Sequence, residues 1–240
     1  MEMAKAIVKP ILVWFFWGMV SAFFTPALAQ TVEEETPKIV KVKDRVDDKI
    51  VLELTHDTWL DGPGDVEYEV PSIGFKAYFF SDYTFGQKSI VSFAWGFGVS
   101  FDNVHSNAEF RQEVDLEGNT GDQELIPIER DYEKNKFATL YLEIPIEFRI
   151  ITKGKTPFKF AAGFRGGYLL NDFQKIEDTD GKAKFYNFEH ISTWRYGVSG
   201  RLGVGPVQLS GYYSLVPLIE SGKGTELTPI SIGLAFTLIK

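Results

Sequence analysis

ATLYLEIPIEFRI, residues 138–150, alternates along its whole length: Leu140, Leu142, Ile144, Ile146, Phe148 and Ile150 share one parity, while Thr139, Tyr141, Glu143, Glu147 and Arg149 share the other. Side chains of an extended strand point alternately to its two faces, so this run has one apolar face and one ionic face. Which face turns inward decides the fold. In a soluble sandwich the apolar face would be buried, and other strands would offer apolar faces to meet it. Two other segments do the opposite. In 158–170, Phe158, Phe160, Ala162, Phe164, Tyr168 and Leu170 oppose Lys159, Ala161, Gly163, Arg165 and Gly167. In 91–101, Val91, Phe93, Trp95, Phe97, Val99 and Phe101 oppose Ser92, Ala94, Gly96, Gly98 and Ser100. Large apolar groups on one side, with tiny or charged ones on the other, describe a lipid-facing surface around a narrow lumen.

Segments 194–204, 207–215 and 230–238 repeat the pattern. Segments 50–57 and 73–80 are mixed, the second because Phe80 follows Phe79 and breaks parity. Each of the eight approaches the roughly 9–11 residues that a tilted strand needs to cross a bilayer, and eight is the smallest even strand number in single-chain outer-membrane barrels. The connections alternate long and short: 58–72, a turn at Gly86-Gln87, 102–136, a turn at Gly154-Lys155, 171–192, Gly205-Pro206, and 216–229. Long loops therefore gather at one end, and barrels of this kind keep short turns periplasmic. Unpaired backbone cannot face lipid, so the first and last strands must pair. The expectation is an all-β, eight-stranded, antiparallel, up-and-down transmembrane β-barrel over 49–240.

The start of the chain gives an address. Lys5 and Lys9 precede an apolar run at 11–24, followed by Ala27-Leu28-Ala29 before Gln30. This pattern reads as a signal peptide over 1–29. The apolar run is shorter than the roughly 20 residues of a spanning helix, and the small residues Ala27 and Ala29 set cleavage ahead of Gln30. Residues 30–48 are mostly charged and read as a periplasmic lead-in. Composition agrees with an envelope β-protein: 21 Phe, 10 Tyr, 5 Trp and 22 Gly favour strands and turns. A net charge of −8 argues against nucleic acid as a partner. The absence of Cys excludes disulfides, thiolate metal sites, Cys nucleophiles and a lipoprotein-type acylated N-terminus.

Four stretches carry a family likeness: GFKAYFFSDYTFGQKSIVSFAWGFGVS (74–100), LYLEIPIEFR (140–149), KFAAGFRGGYLLN (159–171) and SIGLAFTL (231–238). Together they resemble the PorT-like outer-membrane β-barrel proteins of Bacteroidetes-type bacteria, over nearly all of 49–240. The resemblance implies a bacterial outer-membrane location. It leaves activity open, because a fold does not specify a function. The last strand also looks like the signal read by the outer-membrane insertion machinery, with Ser231, Gly233, Phe236 and Leu238 at the right spacing. It departs in ending on Leu238-Ile239-Lys240 rather than on Phe.

The polar parity places Glu53, Lys76, Glu143, Glu147, Arg149, Lys159, Arg165, Arg195 and Arg201 inside the barrel. Buried charges must be paired or solvated, so an ionic network filling the lumen is expected, with Arg165 against Glu143 or Glu147. His56, His105 and His190 fall near loop-side strand ends, each beside a polar residue. They make a rim enzyme, such as one modifying lipid A, the competing class. No nucleophile motif of the G-x-S-x-G kind accompanies them. The acidic stretch 102–136 contains Asp115-Leu116-Glu117-Gly118-Asn119, which fails as a calcium loop because its Gly is misplaced and Ile126 stands where a bidentate Glu belongs. No cofactor, metal or catalytic set is expected. The reading is a non-enzymatic barrel acting through external loops or partners, in an envelope-structural, adhesion or secretion-accessory role. Outer-membrane lipid and lipopolysaccharide would surround it, with envelope or secretion proteins as its partners. A soluble, lipocalin-like binder of an apolar ligand is a further alternative.

Overall fold

The computed structural model describes residues 48–86, 89–114, 120–179 and 181–239. The signal peptide, with Ala27, Ala29 and Gln30, and the lead-in up to residue 47 lie outside them, as do Gln87 and the Asp115–Asn119 stretch. Eight strands close a barrel: β1 (Ile50–Leu60), β3 (Ile73–Thr84), β4 (Val91–Ser106), β7 (Lys134–Ile151), β8 (Phe158–Asp178), β10 (Trp194–Val204), β11 (Val207–Ser214) and β12 (Thr228–Ile239). Each pairs antiparallel with the next, and β12 returns to β1 with Leu54 opposite Leu234. Four further strands, β2 (Tyr68–Glu69), β5 (Ala108–Val114), β6 (Thr120–Pro127) and β9 (Gly181–Tyr186), lie at the long-loop end.

The apolar parity faces out. Phe97, Ile144, Phe148, Phe164, Trp194, Leu209 and Leu238 are exposed, while Lys76, Glu143, Arg149 and Arg165 are buried. This is the reverse of a soluble ligand-carrying barrel, and it removes the lipocalin-like alternative. The mixed strands resolve in the same way. In β3, Phe75 and Phe79 face outward, whereas Phe80 is buried with Lys76 and Tyr78. Phe80 keeps parity: it points into the lumen, where its ring lies 4.0 Å from the Arg149 guanidinium carbon. An apolar side chain belongs inside when a cation covers its face.

The strands run further than the sequence suggests on the outer side. The stretch 102–136, expected to be a loop, contains the end of β4, the β5–β6 hairpin and the start of β7. The stretch 171–192 contains the rest of β8 and its return strand β9. Backbone pairing persists there, but the outward positions become Lys136, Lys175 and Lys184, so the hydrophobic alternation disappears while the hydrogen bonding continues. A bulge in β8 adds to this. Leu140 pairs with Asn171 and Tyr141 with Leu169, so one extra residue moves the outward parity of β8 from even to odd numbers.

Glycine is required where lumen-facing strands approach closely. A Cβ on Gly233 would sit 2.0 Å from the Leu54 carbonyl oxygen across the closing seam. Of the assembly-signal positions, Ser231 is buried in the lumen, Gly233 sits on this seam, and Phe236 and Leu238 face outward.

Candidate functional site

All nine predicted lumen residues are at most 5 % exposed. At the short-turn end, Glu147 joins two guanidinium groups, accepting from Arg149 Nε at 2.8 Å and Arg201 Nη2 at 2.6 Å. Arg149 also donates to Asp82 at 2.6 Å, and Lys159 pairs with Asp48. Midway, Arg165 makes a two-pronged pair with Glu53, at 2.7 and 2.9 Å. Its Nη1 also donates to the Tyr78 hydroxyl, which in turn donates to Glu143. Above them Arg195 binds Glu143 through Nη2 at 2.6 Å and also pairs with Asp102. Lys76 donates to Asp102 at 2.6 Å and to Ser231 at 2.9 Å, with Asp57 at 3.7 Å.

One expected pairing is corrected. Arg165 does not bind Glu143 or Glu147. It lies opposite Pro145 in the ladder, and its long side chain crosses the lumen to Glu53, leaving Glu143 to Arg195 of β10. Narrow barrels bring non-neighbouring strands into reach, which strand-by-strand pairing does not reveal. The sequence reading also missed Asp48, Asp57, Asp82, Asp102, Tyr78, Tyr141 and Tyr212. The signal for Asp57 and Tyr78 was their shared parity with Glu53 and Lys76. Six cations thus meet seven carboxylates, close to neutrality, as confinement requires. Tyr141 packs under Arg195, its ring centre 3.7 Å from the guanidinium carbon.

Little space is left. A cavity of about 20 Å³ between Asp57, Asp102, Arg195 and Tyr212 has room for roughly one water molecule. On the short-turn side, Ser199, Arg201, Gln208 and Ser210 carry buried donor atoms without a partner among the described residues, a composition that favours water over an apolar ligand.

The mouth is closed by a second, apolar core. Trp59, Val104 and Phe137 at the strand ends meet Phe110 and Leu125 of the β5–β6 hairpin and Ile191, Leu218, Ile219 and Leu227 of the other long connections. Phe110 and Phe137 lie 4.6 Å apart, edge to face. Polar clamps hold the hairpin down. Asn135 Nδ2 donates to the Ser106 and Ala108 carbonyls, the Phe110 amide donates to Gln174, and the Leu125 amide donates to Thr225. Burial beneath this cap pushes the Tyr68 hydroxyl up to about 12.

The histidines do not converge on a nucleophile. His56 accepts from the Ser72 backbone amide at 3.2 Å. Ser72 is fully buried, and its hydroxyl donates to the Glu69 carbonyl. His105 faces outward beside Lys136, and partial burial, with Lys134 and Lys136 nearby, holds its pKa below the usual histidine value. His190 sits in a loop with a positive φ of 64°. Among the described residues no cluster of three or more His, Asp or Glu side chains is placed to hold a metal ion.

Compared with known proteins, residues 56–220 match the family model described as outer membrane protein beta-barrel domain. No curated protein and no solved structure matches the chain.

Proposed function

We propose that this chain, which belongs to the outer membrane protein β-barrel domain family and resides in the bacterial outer membrane, works as a closed, non-enzymatic scaffold. It acts through its external surface or through partner proteins, in an envelope-structural, adhesion or secretion-accessory role. One observation carries the reading: the interior is sealed twice, by ion pairs through the membrane span and by the apolar cap above. A passage for solutes needs a lumen that these side chains occupy, and a rim enzyme needs an open cleft with a nucleophile and base within hydrogen-bond reach. His56, His105 and His190 instead meet backbone amides, lysines and loop backbone.

A strain with His56, His105 and His190 all changed to Asn tests the reading against a full deletion. The triple variant is expected to keep the parental lipid A mass spectrum and secretome, whereas excision of residues 113–120 is expected to reproduce part of the deletion phenotype. A triple variant that matches the deletion would overturn the non-enzymatic reading.

A further inference from the structure

Beyond the membrane span, β7, β8 and β9 continue as a three-stranded sheet whose outer face extends the lipid-facing surface. In β7 the outward parity runs from Ile144, Leu142 and Leu140 through Ala138 to Lys136 and Lys134. Across the sheet, Ala138, Phe173 and Tyr186 form one row, and Lys136, Lys175 and Lys184 form the next. The row after that holds Lys134, Glu177 and Lys182. Neighbouring strands lie about 4.8 Å apart, so three ammonium stems stand side by side where like charges oppose folding. Five lysines share this face with Glu177, which takes Lys175 as its close partner and Lys182 at 3.4 Å. His105 of β4 extends the lysine row on its far side, with Glu69 of β2 beyond it.

The geometry gives this cluster a direction. The Lys136 and Lys184 nitrogens each lie 5.7 Å from the centre of the Phe173 ring. Both side chains therefore lean over the last aromatic row of the lipid-facing surface. Phe173 also lies beside Tyr186 at 5.9 Å and Phe101 at 6.5 Å, an aromatic edge of the kind that sits at a membrane interface. Partial burial, followed by Lys134, Lys175 and Lys184, holds the Lys136 ammonium below the usual lysine range. Within the described residues Glu177 offsets Lys175 and Lys182, so one carboxylate stands against five ammonium groups on this face and the excess of positive charge remains. In a chain of net charge −8, such a patch calls for an anion at the height of the lipid headgroups on the long-loop side.

We propose that the outward face of Lys136, Lys175 and Lys184, with Lys134 and Lys182, binds the phosphate groups of an outer-leaflet phosphorylated glycolipid, whose acyl chains lie on the apolar band below. The lysines supply point charges and hydrogen-bond donors to phosphate oxygens, and Phe173 and Tyr186 hold the interface between sugar and hydrocarbon. The inference rests on the outer-membrane placement and goes beyond the scaffold reading, so its failure leaves the histidine test of that reading untouched.

The test uses the mature protein in non-ionic detergent, with bisphosphorylated lipid A, the same lipid A after enzymatic dephosphorylation, and inorganic phosphate as probes. Each lysine near an anionic lipid surface contributes a factor of about five, so Lys136→Gln/Lys175→Gln/Lys184→Gln should bind bisphosphorylated lipid A roughly a hundred-fold more weakly than the parent at low salt. Dephosphorylated lipid A should bind both proteins equally and weakly, and inorganic phosphate should not compete at equal concentration. Lys153→Gln/Lys155→Gln, at the opposite end, should match the parent. Lys184→Glu alone, on a fully exposed edge strand, provides a second variant with a loss of about ten-fold or more. Heat-modifiable migration in detergent gels confirms that each variant is folded. Equal affinity of parent and triple variant, indifference to dephosphorylation, or effective competition by inorganic phosphate would each overturn the proposal.

Discussion

Arg165→Ala removes the two-pronged ion pair at the middle of the barrel, and its cost follows from what remains. Arg165 is 1 % exposed and supplies both hydrogen bonds to the Glu53 carboxylate, at 2.7 and 2.9 Å. Among the described residues no other side chain donates to Glu53, itself 2 % exposed, so the variant keeps a carboxylate in a confined interior with these two donors gone. Removing one partner of a buried pair costs about 3–5 kcal/mol. Arg201→Ala is the internal comparison. Its partner Glu147 retains Arg149 Nε at 2.8 Å, so the loss is that of one charged hydrogen bond, about 1.5–3 kcal/mol. Restoring neutrality with Glu53→Gln in the Arg165→Ala background should recover a large share of the deficit, because the uncompensated charge is the main cost. Urea unfolding in lipid vesicles, followed by tryptophan fluorescence, measures all four proteins. The reasoning fails if Arg165→Ala costs less than Arg201→Ala, or if the double variant is no more stable than Arg165→Ala. Either result would mean that water solvates Glu53 and that the lumen is wetter than its packing indicates.

Three other outcomes follow from the same structure. Phe80→Leu should cost about 2 kcal/mol through the lost ring face under Arg149, whereas Phe79→Leu, on the lipid side, should cost under about 0.5 kcal/mol; the same unfolding assay checks the contrast. Gly233→Ala drives a Cβ to 2.0 Å from the Leu54 carbonyl, so it should slow or prevent folding into vesicles, and folding at the parental rate would show that the seam can yield. Trp59→Ala should cost about 3–5 kcal/mol by emptying the centre of the cap, where Tyr68, Phe110 and Phe137 pack at 5.7–6.0 Å. Planar-bilayer recordings of that variant should still show no steady conductance, because the ion pairs beneath remain.

The barrel was legible because lipid and lumen demand opposite chemistry at a spacing of two residues. Segment 138–150 shows this most clearly, and its neighbours repeat it with larger residues. The lumen set was legible for the same reason: a charge on the inward parity of such a strand has nowhere else to go. Pairing partners were not legible. Arg165 reaches Glu53, 112 positions away in the chain, across a lumen whose width depends on closure of the whole sheet. The mixed strands misled at Phe80, since hydropathy alone cannot register that a guanidinium lies on the ring. The external strands escaped notice because, once outside the bilayer, the outward parity no longer needs to be apolar. The cap was hidden for a related reason. Its members Phe110, Leu125, Ile191, Leu218 and Leu227 are spread over separate connections without a shared alternation, and they form a core only when four connections meet.

The two seals differ in what they can yield to, and that difference bears on how the barrel could work. The ion pairs lie among strands locked by continuous antiparallel ladders around a closed sheet, where opening one pair strands a charge without moving backbone. The cap rests on loops and a hairpin held by a few side-chain clamps such as Asn135 and Gln174, the class of structure that opens most easily. Under the proposed scaffold reading, a partner docked outside would reshape the cap while the membrane span stays shut. Signals or loads would then pass along the outer surface or through docked proteins rather than through the lumen. Substitution of Asn135 by Leu probes that division, because it removes the clamp to Ser106 and Ala108 while keeping the apolar core. It should raise protease cleavage in residues 108–127 several-fold and leave the heat-modifiable migration of the barrel unchanged. Joint loss of both would show that cap and barrel fold as one unit, and would remove the basis for assigning them separate tasks.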